Sequence, residues 1–205
     1  MHHANGLPQE VRDALERAPH VPGFKRWPVA GGPRARFIAL LLLLPLACDS
    51  APRVEARYQP SPVPVVRAML ELAEVGPRDV VYDLGSGDGR IVIMAAREFG
   101  ARGVGIDLNP ELVALARANA RAAGVEDRAT FVEGDIFAAD VRPATVVTLF
   151  LLDTVNLKLR PKLLAELKPG TRVVSHYWDM GDWKPDAQRR IGDRMIYLWR
   201  IPERT

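Results

Sequence analysis

A chain of 205 residues with 48% hydrophobic content suits one domain with extensions around a globular core. The formal charge of +3 comes from residues 1–47, which hold six Lys/Arg against three Asp/Glu; residues 48–205 hold 22 of each, and that balance argues against a strong nucleic-acid footprint. Cys48 is the sole cysteine, which excludes a disulfide within the chain and a thiol metal cluster, so no metal is expected.

Residues 1–36 are rich in His, Pro, Gly and Arg and show no sustained periodicity beyond a short helical pattern from Val11 to Ala18. An apolar run of eleven, Phe37 to Ala47, follows Arg34 and Arg36 and is itself followed by Cys48-Asp49-Ser50. A spanning helix needs about 20 residues, so the run is too short to cross a bilayer. Its basic, apolar, small-residue order reads as an export signal. Ala47-Cys48 resembles a bacterial lipoprotein cleavage site, with Pro45 where that family usually has Leu. Residues 1–47 are therefore expected to be an unstructured N-terminus with a signal-like segment, 48–57 a linker, and 58–205 the domain. A translation start at Val29 would give the signal an ordinary length. Residues 37–48 are expected to associate the protein with a membrane or direct its export. The alternative is an anchored protein whose domain faces the cytosol.

Tyr58-Gln59-Pro60-Ser61-Pro62 leads into a helical pattern from Val63 to Glu74, with Ser61 as the expected N-cap and Pro62 at the first helical position. Gly76-Pro77 ends it. The next stretch is the most informative. Val80, Val81 and Tyr82 form a short β-rich run that closes on Asp83. Gly85, Gly87 and Gly89 then alternate with Ser86 and Asp88, and a helix pattern starts at once. A strand, a tight glycine loop and a helix N-terminus make a small-molecule cradle at the carboxyl edge of a sheet. A dinucleotide loop needs a third small residue where this chain has Arg90. Carboxylates at Asp83 and Asp88 would repel a pyrophosphate. They suit a ligand carrying an ammonium and a sulfonium, which describes S-adenosyl-L-methionine.

Strand and helix patterns then alternate. Arg102 to Asp107 reads as a second strand ending in an acid about 20 residues past the glycine loop, where a carboxylate can accept from both ribose hydroxyls. Asn109 should cap the helix that runs from Pro110 to Ala123. Ala129 to Glu133 is a third strand, followed by Gly134-Asp135-Ile136. Thr145 to Leu152 is a fully apolar run, as expected of a central parallel strand, and ends near Asp153. A leucine-rich helix precedes Lys168-Pro169-Gly170, and Arg172 to His176 is a fifth strand. Gly192-Asp193 is a two-residue hairpin signal between the last two strands. Residues 177–188 read as a loop. The expected fold is α/β: a Rossmann-like, doubly wound, seven-stranded sheet, mostly parallel with a C-terminal antiparallel hairpin.

Asp83-Leu84-Gly85-Ser86-Gly87-Asp88-Gly89, Gly105-Ile106-Asp107-Leu108-Asn109-Pro110 and Gly134-Asp135 resemble the successive motifs of the class I (seven-β-strand) S-adenosylmethionine-dependent methyltransferases. The resemblance implies cofactor contacts from Asp83, Gly85, Ser86, Gly87, Gly89, Asp107 and Leu108, with Asp135 on the adenine amino group and Ile136 on a face of the ring. Tyr58-x-Pro60-Ser61, the Val173-Val174-Ser175 strand and the Trp183-x-Pro185 loop are similar to a narrower group, the bacterial relatives of the ATP synthase c-subunit lysine N-methyltransferases. Tyr58 and Ser61 then join the cofactor residues. That group tends to have Arg-Phe where this chain has His176-Tyr177.

Methyl transfer from a sulfonium is an in-line displacement, and the protein aligns and desolvates the acceptor and takes up a proton. Asp153, His176 and Tyr177 are the catalytic candidates. Trp178, Asp179 and Trp183 are candidate substrate residues, because aromatic rings and a carboxylate together hold a cation such as lysine. No Asn-Pro-Pro-Tyr follows the fourth strand, which weighs against adenine and glutamine acceptors. The expected partner is a methyl-acceptor protein. The alternatives are a small-molecule acceptor and a non-catalytic, membrane-anchored cofactor-binding protein.

Overall fold

The computed structural model describes residues 59–204. The Val11–Ala18 pattern, residues 37–48, the linker 48–57 and Tyr58 lie outside the described residues. In chain order the elements are α1 (Val63–Leu72), β1 (Val80–Leu84), α2 (Arg90–Glu98), β2 (Arg102–Asp107), α3 (Pro110–Ala122), β3 (Ala129–Glu133), β4 (Val146–Leu149), α4 (Asp153–Glu166), β5 (Arg172–His176), β6 (Ala187–Ile191) and β7 (Arg194–Arg200).

The strands form one seven-stranded sheet in the order β3-β2-β1-β4-β5-β7-β6. β1 pairs in parallel with β2 on one side and β4 on the other, while β7 runs antiparallel to both β5 and β6. The order reverses between β1 and β4, and the crevice at their carboxyl ends is where α/β folds of this kind take ligands. The Rossmann-like, doubly wound sheet with its antiparallel C-terminal hairpin is the architecture expected from the sequence.

Alternation along the strands builds both faces. Val81, Val146 and Val174 pack with α1 and α2 residues such as Met69, Leu70 and Met94. Their neighbours Tyr82, Val147 and Val173 point the other way and pack with Leu159 and Leu163 of α4 and with Trp199. Burial on both faces explains why these strands read as continuous apolar runs. No helix separates β5 from β6 among the described residues, as the sequence implied.

Two local expectations need correction. Ser61 does not cap α1: Pro62 is the N-cap, and no side chain bonds the first turn. The Ser61 hydroxyl is buried instead against His176, 115 residues away, and a hydroxyl committed there cannot cap. The apolar run 145–152 is also not all strand. β4 ends at Leu149, and Asp153 starts α4. Phe150 and Leu151 are apolar because they line the crevice: one stacks on His176 and the other abuts Gly85.

Candidate active site

The glycine loop bends because three of its residues sit at positive φ: Gly85 at 84°, Gly87 at 53° and Gly89 at 81°. A Cβ on Gly85 would lie 2.8 Å from the Leu151 side chain, and one on Gly89 would lie 2.6 Å from the Phe131 ring. Both conformation and space therefore demand glycine. The Gly85 and Ser86 amides both donate to the Ile106 carbonyl, at 2.8 and 3.0 Å, which anchors the loop to β2. Gly87 N–H donates to Asp107 Oδ2 at 2.8 Å, and Asn109 N–H donates to Asp107 Oδ1 at 2.9 Å. Asn109 in turn caps α3, accepting from the Glu111 and Leu112 amides.

Asp83 is 3% exposed at the tip of β1, and Thr148 of β4 donates to it at 2.7 Å. The register makes this pair, since Asp83 lies directly beside Thr148. Burial pushes the Asp83 carboxyl up to about 7; the Thr148 hydrogen bond opposes this, and the Asp107 and Asp88 charges add to it. Asp88 is bound by Arg90 in an ion pair of 2.6 Å. Of the two loop acids, only Asp83 is sealed inside the crevice; the Asp88 charge is offset by the arginine that follows the loop.

Asp107 at the tip of β2 and Asp135 just past β3 continue the line of acids along the sheet edge. Asp135 accepts from the Phe137 amide at 2.9 Å, Ile136 is buried, and Leu108 is 68% exposed. Asp83, Gly85, Ser86, Gly87, Gly89, Asp107, Leu108, Asp135 and Ile136 thus lie along the carboxyl ends of three neighbouring strands, β1, β2 and β3.

The other half of the crevice is built by β4 and β5. His176 is fully buried; its ring stacks on Phe150 with centroids 4.0 Å apart, and its Nδ1 lies 2.8 Å from Ser61 Oγ. Nε2 is buried without a hydrogen-bond partner among the described residues. Burial pushes the imidazole down to about 4; Arg194 adds to this and Asp193 opposes it. Tyr177 is 47% exposed and has φ of 74°, a left-handed conformation uncommon for a bulky residue. Trp178 packs edge-on against its ring at 4.9 Å. Asp153 is exposed, and its Oδ1 accepts from the next amide, Thr154. Asp179 accepts from the Gly181 amide. Trp183 is turned onto Trp199, at 5.8 Å between centroids, and its carbonyl accepts from the Trp199 indole.

Four residues that shape this site had no contact assigned to them from the sequence. Thr148 bonds Asp83. Arg90 donates to the Ser61 carbonyl at 2.9 Å. Asn156 is fully buried and its Nδ2 reaches Ser175 Oγ and the Trp178 and Asp179 carbonyls at 3.2 to 3.4 Å. Arg160 donates to the Met180 carbonyl and pairs with Asp182. Asn156 and Arg160 together pin the loop after β5 onto α4. A signal for Asn156 was present: positions 156, 159 and 163 are the buried stripe of α4, and a polar residue within an apolar stripe marks a buried hydrogen-bonding site. Among the described residues no group of three or more His, Cys, Asp or Glu side chains is placed to hold a metal ion.

Residues 83–187 match the family described as the ANTKMT methyltransferase domain. The protein-lysine N-methyltransferase of Saccharolobus islandicus (strain REY15A) is 48% identical over 151 residues, covering 71% of this chain and 94% of its own. The adenine nucleotide translocase lysine N-methyltransferase of Mus musculus is 38% identical over 172 residues, covering 83% of this chain and 73% of its own. Among solved structures, the RNA methyltransferase of Salinibacter ruber in complex with S-adenosyl-L-homocysteine superposes with a TM-score of 0.71 at 58% identity, over 72% of this chain and 96% of that one.

Proposed function

Because the chain belongs to the ANTKMT methyltransferase family and is an S-adenosylmethionine-dependent methyltransferase, we propose that its acceptor is the ε-amino group of a protein lysine. The observation that carries this is the 48% identity across nearly the whole of the Saccharolobus islandicus relative, which is named a protein-lysine N-methyltransferase. The exposed Tyr177, with Trp178 against it and Asp179 nearby, supports the reading, since rings and a carboxylate suit a cationic side chain.

The residues of the crevice fit the cofactor. Asp83 presents a buried carboxylate beneath the loop, and Asp107 presents another beside it. In this reading Asp107 takes the ribose hydroxyls, Asp135 the adenine amino group, Leu108 and Ile136 the ring faces, and Asp83 the amino end. Gly85, Ser86, Gly87 and Gly89 shape the floor, with Tyr58 and Ser61 on the leading segment. S-adenosylmethionine supplies a methyl group on a sulfonium, so the leaving group departs neutral and needs no acid. The lysine must lose a proton before its lone pair can attack, and Asp153 is the exposed carboxylate at the end of the β4 connection that can receive it. Tyr177, Trp178, Asp179 and Trp183 belong to the acceptor loop. Residues 37–48 are proposed to bring the domain to a membrane; no helix among the described residues is long and apolar enough to cross one.

A second acceptor class has one observation behind it: the Salinibacter ruber structure is described as an RNA methyltransferase. The even charge balance of residues 48–205 argues against it. The test is incubation of the purified protein with methyl-labelled S-adenosylmethionine and an extract of its own cells. Label that survives ribonuclease, is lost to protease and is recovered as methyllysine supports the proposal. Label lost to ribonuclease transfers it to RNA, label on a small molecule to a metabolite, and no label to a non-catalytic cofactor-binding role.

A further inference from the structure

We infer that Ser61 and His176 are a positioning pair, in which the leading segment, once seated at the cofactor side of the crevice, sets the backbone of the acceptor loop at Tyr177. This rests on the methyltransferase reading above and goes beyond it in assigning His176 a role other than that of proton acceptor.

Ser61 is held from two directions. Its carbonyl accepts from Arg90 Nη1 at 2.9 Å, and its hydroxyl lies 2.8 Å from His176 Nδ1. Arg90 is the first residue of α2, directly after the glycine loop, and is itself bound by Asp88 through both carboxylate oxygens. His176 is the last residue of β5. Ser61 therefore bridges the element that shapes the cofactor loop and the strand that presents the acceptor loop. Both side chains are shut away from water, at 3% and 0% exposure, so no solvent replaces the bond if it is lost. The local alternative for Ser61, capping α1, is left unmade.

The His176 ring has little freedom. Phe150 stacks on one face, Nδ1 is engaged by Ser61, and Nε2 is buried. A ring so enclosed is poorly placed to collect a proton from an acceptor, but well placed to transmit position. The next residue is Tyr177, at φ of 74° with its amide donating to the Met195 carbonyl at 2.7 Å. A bulky residue stays in that region only when its surroundings hold it there. The Met195 carbonyl holds Tyr177 directly, with His176 before it and Asn156, bonded to the Trp178 carbonyl, after it.

The test uses the full chain, with S-adenosylhomocysteine as the probe. Hydrogen exchange would be followed over peptides spanning 59–66, 83–90 and 176–182, with and without the probe. Wild-type protein should show protection of all three. Ser61→Ala should keep protection at 83–90, lose the added protection at 176–182, and bind the probe about three- to tenfold more weakly, the range for one lost hydrogen bond. Ser61→Thr keeps the hydroxyl and should restore both. His176→Phe keeps an aromatic ring to stack on Phe150 without the hydrogen bond and should lose the added protection at 176–182 as Ser61→Ala does, which gives a second variant should the serine one fold poorly. Probe-dependent protection of 176–182 in Ser61→Ala equal to wild type would overturn the pairing alone. Wild-type protein that does not bind the probe would overturn the cofactor assignment and the pairing with it.

Discussion

Asp107 receives the Gly87 amide at 2.8 Å through one carboxylate oxygen and uses the other to hold the Asn109 amide. One side chain at the tip of β2 thus braces both the glycine loop of β1 and the entry to α3. The carboxylate assigned to the ribose is already oriented by two backbone donors, so no side-chain search is needed on binding.

Replacing Asp107 removes that orientation together with the proposed ribose contact. Asp107→Ala should weaken S-adenosylhomocysteine binding by about 1.5–3 kcal/mol, the range for hydrogen bonds to a charged group. Asp107→Asn should lose less, because its amide oxygen still accepts from one backbone N–H. Isothermal titration measures both, and unchanged affinity in the alanine variant would refute the ribose role.

Gly89 faces two costs at once. Its left-handed backbone penalises any side chain by about 1–2 kcal/mol, and a Cβ would lie 2.6 Å from Phe131 and 2.9 Å from Ala116. Gly89→Ala should destabilise the protein by about 2–5 kcal/mol once overpacking is added. Gly170→Ala is the control: φ is 80° but nothing lies within 4 Å, so only the backbone cost of about 1–2 kcal/mol applies. Urea unfolding of the two variants separates the effects.

In the proposed cofactor assignment, Asp83 couples binding to pH. Its carboxyl titrates near 7 rather than at 3.8, chiefly through burial, with Thr148, Asp107 and Asp88 as the facing groups. Positive charge placed against it favours the ionised form, so binding releases a proton and affinity rises as pH climbs through about 7. In the absence of ligand the sign is opposite for stability. The folded state keeps a proton that the unfolded state has lost, so this group's contribution falls between about pH 4 and 7. Titrations in buffers of different ionisation enthalpy should reveal the proton release, and Asp83→Asn should abolish it.

Arg172 and Asp79 close the opposite edge of the sheet. Arg172 bonds the Ala73 and Glu74 carbonyls behind α1 and pairs with Asp79, which also accepts from Thr145 and Gly76. Burial alone would raise the Asp79 carboxyl, but the bonds from Thr145 and Gly76 and the Arg172 charge outweigh it and hold the group below 3.8. Its stabilisation is complete above that value and lost as pH falls through the lowered one. Arg172→Met should cost about 3 kcal/mol, as for a largely buried pair broken on one side. It should also move the acid-unfolding midpoint to higher pH, which circular dichroism can follow.

Much of the site was legible because its signals are local. Three alternating glycines between a β-rich run and a helix pattern specify a loop whatever surrounds them. Asp107 could be placed by counting from that loop, and Asn109 before Pro110 announced the cap it forms. The Gly192-Asp193 pair joins β6 to β7 as a two-residue hairpin requires. Local signals misled where a residue's partner lies far along the chain. Ser61 reads as a cap, and Phe150-Leu151-Leu152 as the end of a strand, because sequence periodicity cannot show that a crevice opens there.

The sequence by itself determined the alternation of strands and helices, the glycine loop and the acids at the strand tips. Backbone geometry, burial period and charge act there over a few residues. Only the tertiary structure decided which distant groups meet. Thr148 reaches Asp83 because β4 lies beside β1, and Ser61 reaches His176 because α1 packs across β5. Those contacts join residues 65 and 115 apart in the chain. They follow from the strand order, and no local pattern of residues encodes that order.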